Sequence, residues 1–112
     1  MHFLRMHIDG VAVEESAPAE ERLLAGAPKF RCWNIEEQDG LYAGVWESTP
    51  GLWRIEYSEW GYCRILSGVS VVSEEGGASH TLRAGDSFII RPGFVGTWEV
   101  IETTRKEYVI RE

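Results

Sequence analysis

Basic residues are the scarce charge in this chain: eleven Lys and Arg stand against eighteen Asp and Glu in 112 residues, a formal charge of −7. Such a surface repels a phosphate backbone over most of its area, so nucleic acid is not an expected partner. Cysteine is nearly as scarce. Cys32 and Cys63 lie far apart without Cys-x-x-Cys spacing, which implies neither a zinc knuckle nor a disulfide framework and points to a reduced, cytoplasmic setting. No apolar run approaches a membrane span, and the first residues lack the apolar core of a secretory leader. Neither a membrane nor export is expected. Histidine is limited to His2, His7 and His80. The first two belong to one short segment, and His80, which shares the parity of Leu82, is more simply read as a partly exposed strand residue than as a ligand.

What is present is enough apolar material, 44% of the residues, for one small core. Residues 1–28 read as an N-terminal arm: an apolar start (Met1 to Val13) able to pair with a sheet edge, an acidic stretch, and a short helix expected over Pro18–Ala25, with Gly26 as its stop. Residues 29–112 read as an all-β barrel. Breaks at Gln38-Asp39-Gly40, Ser48 to Gly51, Ser58 to Gly61, Glu74 to Gly77, Ala84 to Asp86 and Pro92-Gly93 divide short apolar runs at the spacing of a sandwich or barrel.

Alternation assigns the faces. Trp53, Ile55 and Tyr57 alternate with Arg54, Glu56 and Ser58, so the aromatic and aliphatic set turns inward. Cys63 and Ile65 continue that parity, and Trp98 and Val100 do the same further on. Phe88-Ile89-Ile90 is a continuous apolar run, as in a strand covered on both sides.

Three stretches, Gly44 to Tyr57, Cys63 to Gly68 and Gly85 to Lys106, with the lead-in Glu21 to Pro28, resemble the small cupins related to (S)-ureidoglycine aminohydrolase and to an ethanolamine-utilisation protein. The resemblance runs from about Glu21 to Ile110 and implies a cupin double-stranded β-helix, or jelly-roll barrel, often dimeric. In the cupin superfamily the first motif ends in a glycine matching Gly68, with a glutamate ligand seven residues earlier. That position is Gly61. The paired histidines fall on Ile55 and Tyr57, or on Arg54 and Glu56 if the spacing is one longer. The second motif's histidine would be Gly96 and its asparagine Val100. A catalytic transition metal needs about three imidazole, carboxylate or thiolate ligands, so no metal and no other cofactor is expected.

The expected site is therefore an aromatic-lined pocket of Trp46, Trp53, Ile55, Tyr57, Gly61, Cys63, Gly96 and Trp98, with Gly61 and Gly96 leaving room and Glu47 and Glu59 at the rim. Such a cleft suits a flat or cationic small molecule. Cys63 reads as packing rather than as a nucleophile, since no histidine stands by to activate it. Glu56 reads as solvated surface, and Arg105-Lys106 as a structural pair. Three functions stay open: metal-independent small-molecule binding; a cupin enzyme of aminohydrolase, isomerase or lyase type acting on a small polar metabolite; and an interaction protein with a filled barrel. A homodimer joined through the arm is the expected assembly.

Overall fold

The structure, a computed structural model, describes residues 2–112. Nine strands form in chain order: β1 (Glu14–Ser16), β2 (Leu23–Gly26), β3 (Phe30–Gln38), β4 (Leu41–Ser48), β5 (Gly51–Tyr57), β6 (Trp60–Glu74), β7 (Ser79–Arg83), β8 (Ser87–Ile90) and β9 (Phe94–Arg111). All pairings are antiparallel. The chain is the expected all-β jelly roll.

Two strands, β6 and β9, run through both halves of the barrel. The C-terminal part of β9 pairs with β4 and its N-terminal part with β5, while β6 pairs with β8 at its start and with β7 at its end. One half is therefore ordered β1-β3-β4-β9-β6-β8 and the other β2-β5-β9-β6-β7. Both long strands turn the corner together. Their ladder slips between Ile65 and Ser70, and Gly68 sits there at φ +91°, where a Cβ would collide with the Thr103 carbonyl. Only glycine fits both the conformation and the space.

A polar chain seals the inside of this corner. Trp98 Nε1 donates to Ser70 Oγ (3.1 Å), and Thr104 Oγ1 donates to the Glu102 carbonyl (2.8 Å). With the Thr104 proton so committed, the 2.8 Å contact between the two hydroxyls has Ser70 as donor. All three side chains are buried, so every polar atom that the bend takes from water is paired.

The core gathers Trp53, Ile55, Ile65, Val72, Leu82, Ile90, Trp98 and Val100, with Tyr57 packed against it, while Arg54 and Glu56 stay exposed. Cys63 is buried with the same parity. Between β3 and β4 the two-residue loop Asp39-Gly40 has positive φ at both positions, 51° and 78°. That is the hairpin turn whose twist matches its strands.

The helix expected over Pro18–Ala25 does not form. Glu20–Arg22 makes a single 3-10 turn, and Leu23–Gly26 is strand β2 on the edge of β5. Eight residues are far below the length of roughly 12–15 at which a helix holds in water, whereas the β5 edge offers ready hydrogen-bond partners. The arm also differs from expectation: residues 2–13 form no strand, only a turn at Asp9-Gly10, and pairing begins with β1 against β3. Met1 lies outside the described residues.

Candidate functional site

Along β3, β4 and β9 the inward positions fall in rows across the sheet. One row joins Cys32, Trp46 and Lys106 and the next joins Asn34, Gly44 and Tyr108, with Ile65 and Cys63 continuing them on β6. β5 brings Trp53, Ile55 and Tyr57 from the facing half. Between the halves opens a cavity of about 740 Å³.

Its floor is aromatic. Phe30 meets Trp53 edge-on at 4.9 Å between ring centroids and Trp46 at 5.2 Å; Trp46 meets Trp98 at 5.7 Å, and Trp53 stacks on Trp98 with planes 10° apart. The four rings come from both halves of the barrel, so the floor also ties the halves together.

A charge lies on that floor. Lys106 projects inward, its Nζ 4.5 Å from the centroid of Trp46 and 4.2 Å from that of Trp98. Among the described residues it makes no ion pair. Two ring faces attract the ammonium through their quadrupoles and take the place of a counter-ion. Its neighbour Arg105 points the other way: its guanidinium bonds Glu47 Oε1 (Nη2 3.0 Å, Nε 3.1 Å) and lies over Trp33, as does that of Arg31. Arg105-Lys106, expected to act as one structural pair, is thus split between two faces. Strand alternation was the available signal, since Lys106 shares parity with Tyr108 and Ile110 while Arg105 shares it with Glu107 and Val109.

Higher on the wall, Tyr108 donates its hydroxyl proton to Asn34 Oδ1 (2.7 Å), so the Cys32 thiol 3.3 Å away is the donor to Tyr108. Burial, reinforced by Cys32, pushes the Tyr108 phenol above its ordinary range. Burial does the same to Tyr57, with Cys63 and Glu59 adding to it. Both phenols stay neutral and serve as donors or acceptors, not as bases. At the mouth Tyr42 is raised by the nearby Glu112 carboxylate. Glu14, Glu37 and Glu112 border one side of the opening, and Glu56 and Glu59 the other, with Arg22 and Arg54 among them.

Of the expected pocket residues, Trp46, Trp53, Ile55, Tyr57, Gly61, Cys63 and Trp98 line the cavity, as does the rim residue Glu59. Gly96 does not. A Cβ there would run into the Ser73 carbonyl, whereas at Gly61 the nearest atoms are 3.9 Å away. Gly61 leaves open room; Gly96 lets β6 approach β9. Glu47 leaves the rim as well, because it lies on the outer face of β4, held by Arg105 and, at 3.9 Å, by Arg31. Glu56, expected to be solvated surface, is exposed yet borders the mouth. His80 is exposed on β7 although Leu82 is buried. The cationic ligand expected for the aromatic faces is at odds with Lys106, whose own charge already occupies Trp46 and Trp98.

Cupins commonly hold a metal inside the barrel, and the donor set here does not fit one. By the resemblance, the corresponding positions are Gly61, Ile55 and Tyr57 (or Arg54 and Glu56), Gly96 and Val100. Among the described residues no three His, Cys, Asp or Glu side chains converge.

Residues 35–108 match the EutQ-like cupin domain family. No curated protein matches the chain. Among solved structures, a protein of unknown function from Pseudomonas syringae pv. tomato superposes with a TM-score of 0.81 at 26% identity, over 90% of this chain and 45% of its own. The chain thus spans less than half the length of that relative. A Salmonella typhimurium ethanolamine utilization protein Q superposes with a TM-score of 0.66 at 17% identity, over 77% of this chain and 70% of its own. The Clostridium difficile EutQ protein gives 0.68 at 14%, over 75% and 63%. These last two likenesses show the fold alone. With two thirds of its length inside the family's domain, the chain belongs to the EutQ-like cupins.

Proposed function

We propose that this protein binds a small organic molecule with a flat apolar body, in the barrel and without a metal ion. The observation that carries the reading is the cavity of about 740 Å³ whose floor is four aromatic rings. That volume lies within the range of small-molecule sites, roughly 300–1,000 Å³, and mixes apolar walls with a few placed polar groups in the usual way. A barrel filled to its mouth, the interaction-protein reading, has no use for such a space. The enzyme reading, including an activity like that of ureidoglycine aminohydrolase, lacks among the described residues both a ligand set for a metal and a phenol able to act as a base. Fold likeness does not supply either. The two cysteines are free thiols, which supports a reducing, cytoplasmic place of action. No helix among the described residues is long and apolar enough to cross a membrane.

A thermal-shift screen of aromatic and heteroaromatic metabolites tests the proposal. A ligand at a hundred times its dissociation constant stabilises by about 2.7 kcal/mol, and a Gly61→Ile variant, which fills the open wall, is expected to lose the shift. An equal shift in that variant would place binding elsewhere.

A further inference from the structure

We infer that Lys106 is the anion-recognition group of the cavity and that the ligand carries a single carboxylate on its flat body. This rests on the proposed binding role of the same cavity. The placement of charge carries it. Lys106 Nζ stands over Trp46 and Trp98 at the floor with no carboxylate partner among the described residues. No buried side-chain nitrogen or oxygen among those residues is left unpaired, so an ammonium with no partner keeps part of its surface open to the cavity. Two of its sides rest on ring faces, and an N–H remains to be given to a ligand oxygen. A carboxylate there gains a charge-assisted hydrogen bond in a site shielded from water by tryptophan.

The charges at the mouth narrow the class. Five carboxylates, those of Glu14, Glu37, Glu112, Glu56 and Glu59, border the opening. Of the two arginines there, Arg54 is drawn to Glu75 at 3.9 Å. A phosphate or dicarboxylate would enter against that field and find one cation at the floor. A monocarboxylate matches the floor charge for charge and presents its uncharged or cationic end to the acidic rim. Apolar stacking on Trp53 and Phe30 accounts for the flat body.

The test compares carboxylates with their neutral amides: benzoate with benzamide, nicotinate with nicotinamide, and indole-3-acetate with indole-3-acetamide, by calorimetric titration of the full chain. At least one acid is expected to bind more tightly than its amide by about tenfold or more. In Lys106→Met, which keeps the length of the side chain and removes its charge, the preference is expected to vanish while amide binding persists. Lys106→Arg is expected to keep the preference. Acids that bind no better than amides, or a preference that survives Lys106→Met, overturn the inference. If amides bind and acids do not, the cavity remains a binding site and only the carboxylate is wrong; if neither binds in any pair, both readings fall. Should the methionine variant not fold, the comparison of acids and amides on the natural chain decides alone.

Discussion

The hydroxyl of Ser70 stands between two groups that have nowhere else to turn. Removing it in Ser70→Ala strands the Trp98 indole N–H and takes a donor from Thr104, both fully buried. The expected loss is about 1–3 kcal/mol by urea unfolding, because a buried polar group without a partner costs its desolvation; a change near zero would mean that water enters the corner. Tyr57 and Tyr108 make a second prediction, on pH. Both phenols titrate above their ordinary value of 10.0 in the folded protein, so above that pH the unfolded chain gives up protons that the native state keeps. Stability therefore holds below pH 10 and falls as pH rises beyond it. Urea midpoints across that range are expected to show the fall, with a shallower slope in Tyr57→Phe. Single residues also show what sequence reading reaches. Trp53, Ile55 and Tyr57 were legible because polar residues alternate with them; the same alternation, with Trp46 inward, puts Glu47 on the outer face where Arg31 and Arg105 hold it, so its expected place at the rim was a misreading of parity.

Strands were more legible than their lengths. Asp39-Gly40 marks a hairpin by its chemistry alone, yet the corner within β6 has no such mark, although the slip between Ile65 and Ser70 reverses the inside-outside count halfway along. Gly68 was visible as a motif glycine but not as the corner of two strands, because its cause, the Thr103 carbonyl, comes from a segment 35 residues further along the chain. Gly68→Ala is accordingly expected to cost roughly 3 kcal/mol, from a strained φ and a backbone collision together, whereas Gly76→Ala, at a similar φ of 73° but with open space around it, is expected to cost about 1 kcal/mol. Equal losses in thermal unfolding would refute the collision. At the other end, the stretch 18–25 carries helix signals that are genuine but local. Pairing with β5 outweighs them, as tertiary context commonly does.

At the scale of the molecule, the arm remains without an apolar partner: Phe3 is 70% exposed and Leu4 57%, with Met6 and Val13 also open to solvent. We propose that a second copy covers these side chains in a two-fold dimer. Deleting residues 2–13 is expected to leave the barrel folded and shift sedimentation from dimer to monomer; a monomer in both forms rejects the dimer, and a dimer in both removes the arm from the interface. The barrel itself was legible from turn spacing and strand parity. The floor of the cavity was only half so: its tryptophans were legible, but Lys106, which shares the inward parity of Trp98 and Val100, reads beside Arg105 as one of a structural pair. The passage of β9 through both halves has a consequence for how the chain is made. β9 follows every other strand of the barrel in chain order, yet it is the inner neighbour of β4, β5 and β6 at once. At roughly 5–20 residues per second, translating its eighteen residues takes about one to four seconds, and until then three apolar strands wait with open edges. A nascent chain halted before Phe94 therefore leaves the inner edges of β4, β5 and β6 open to aggregation, and β9 is what closes them.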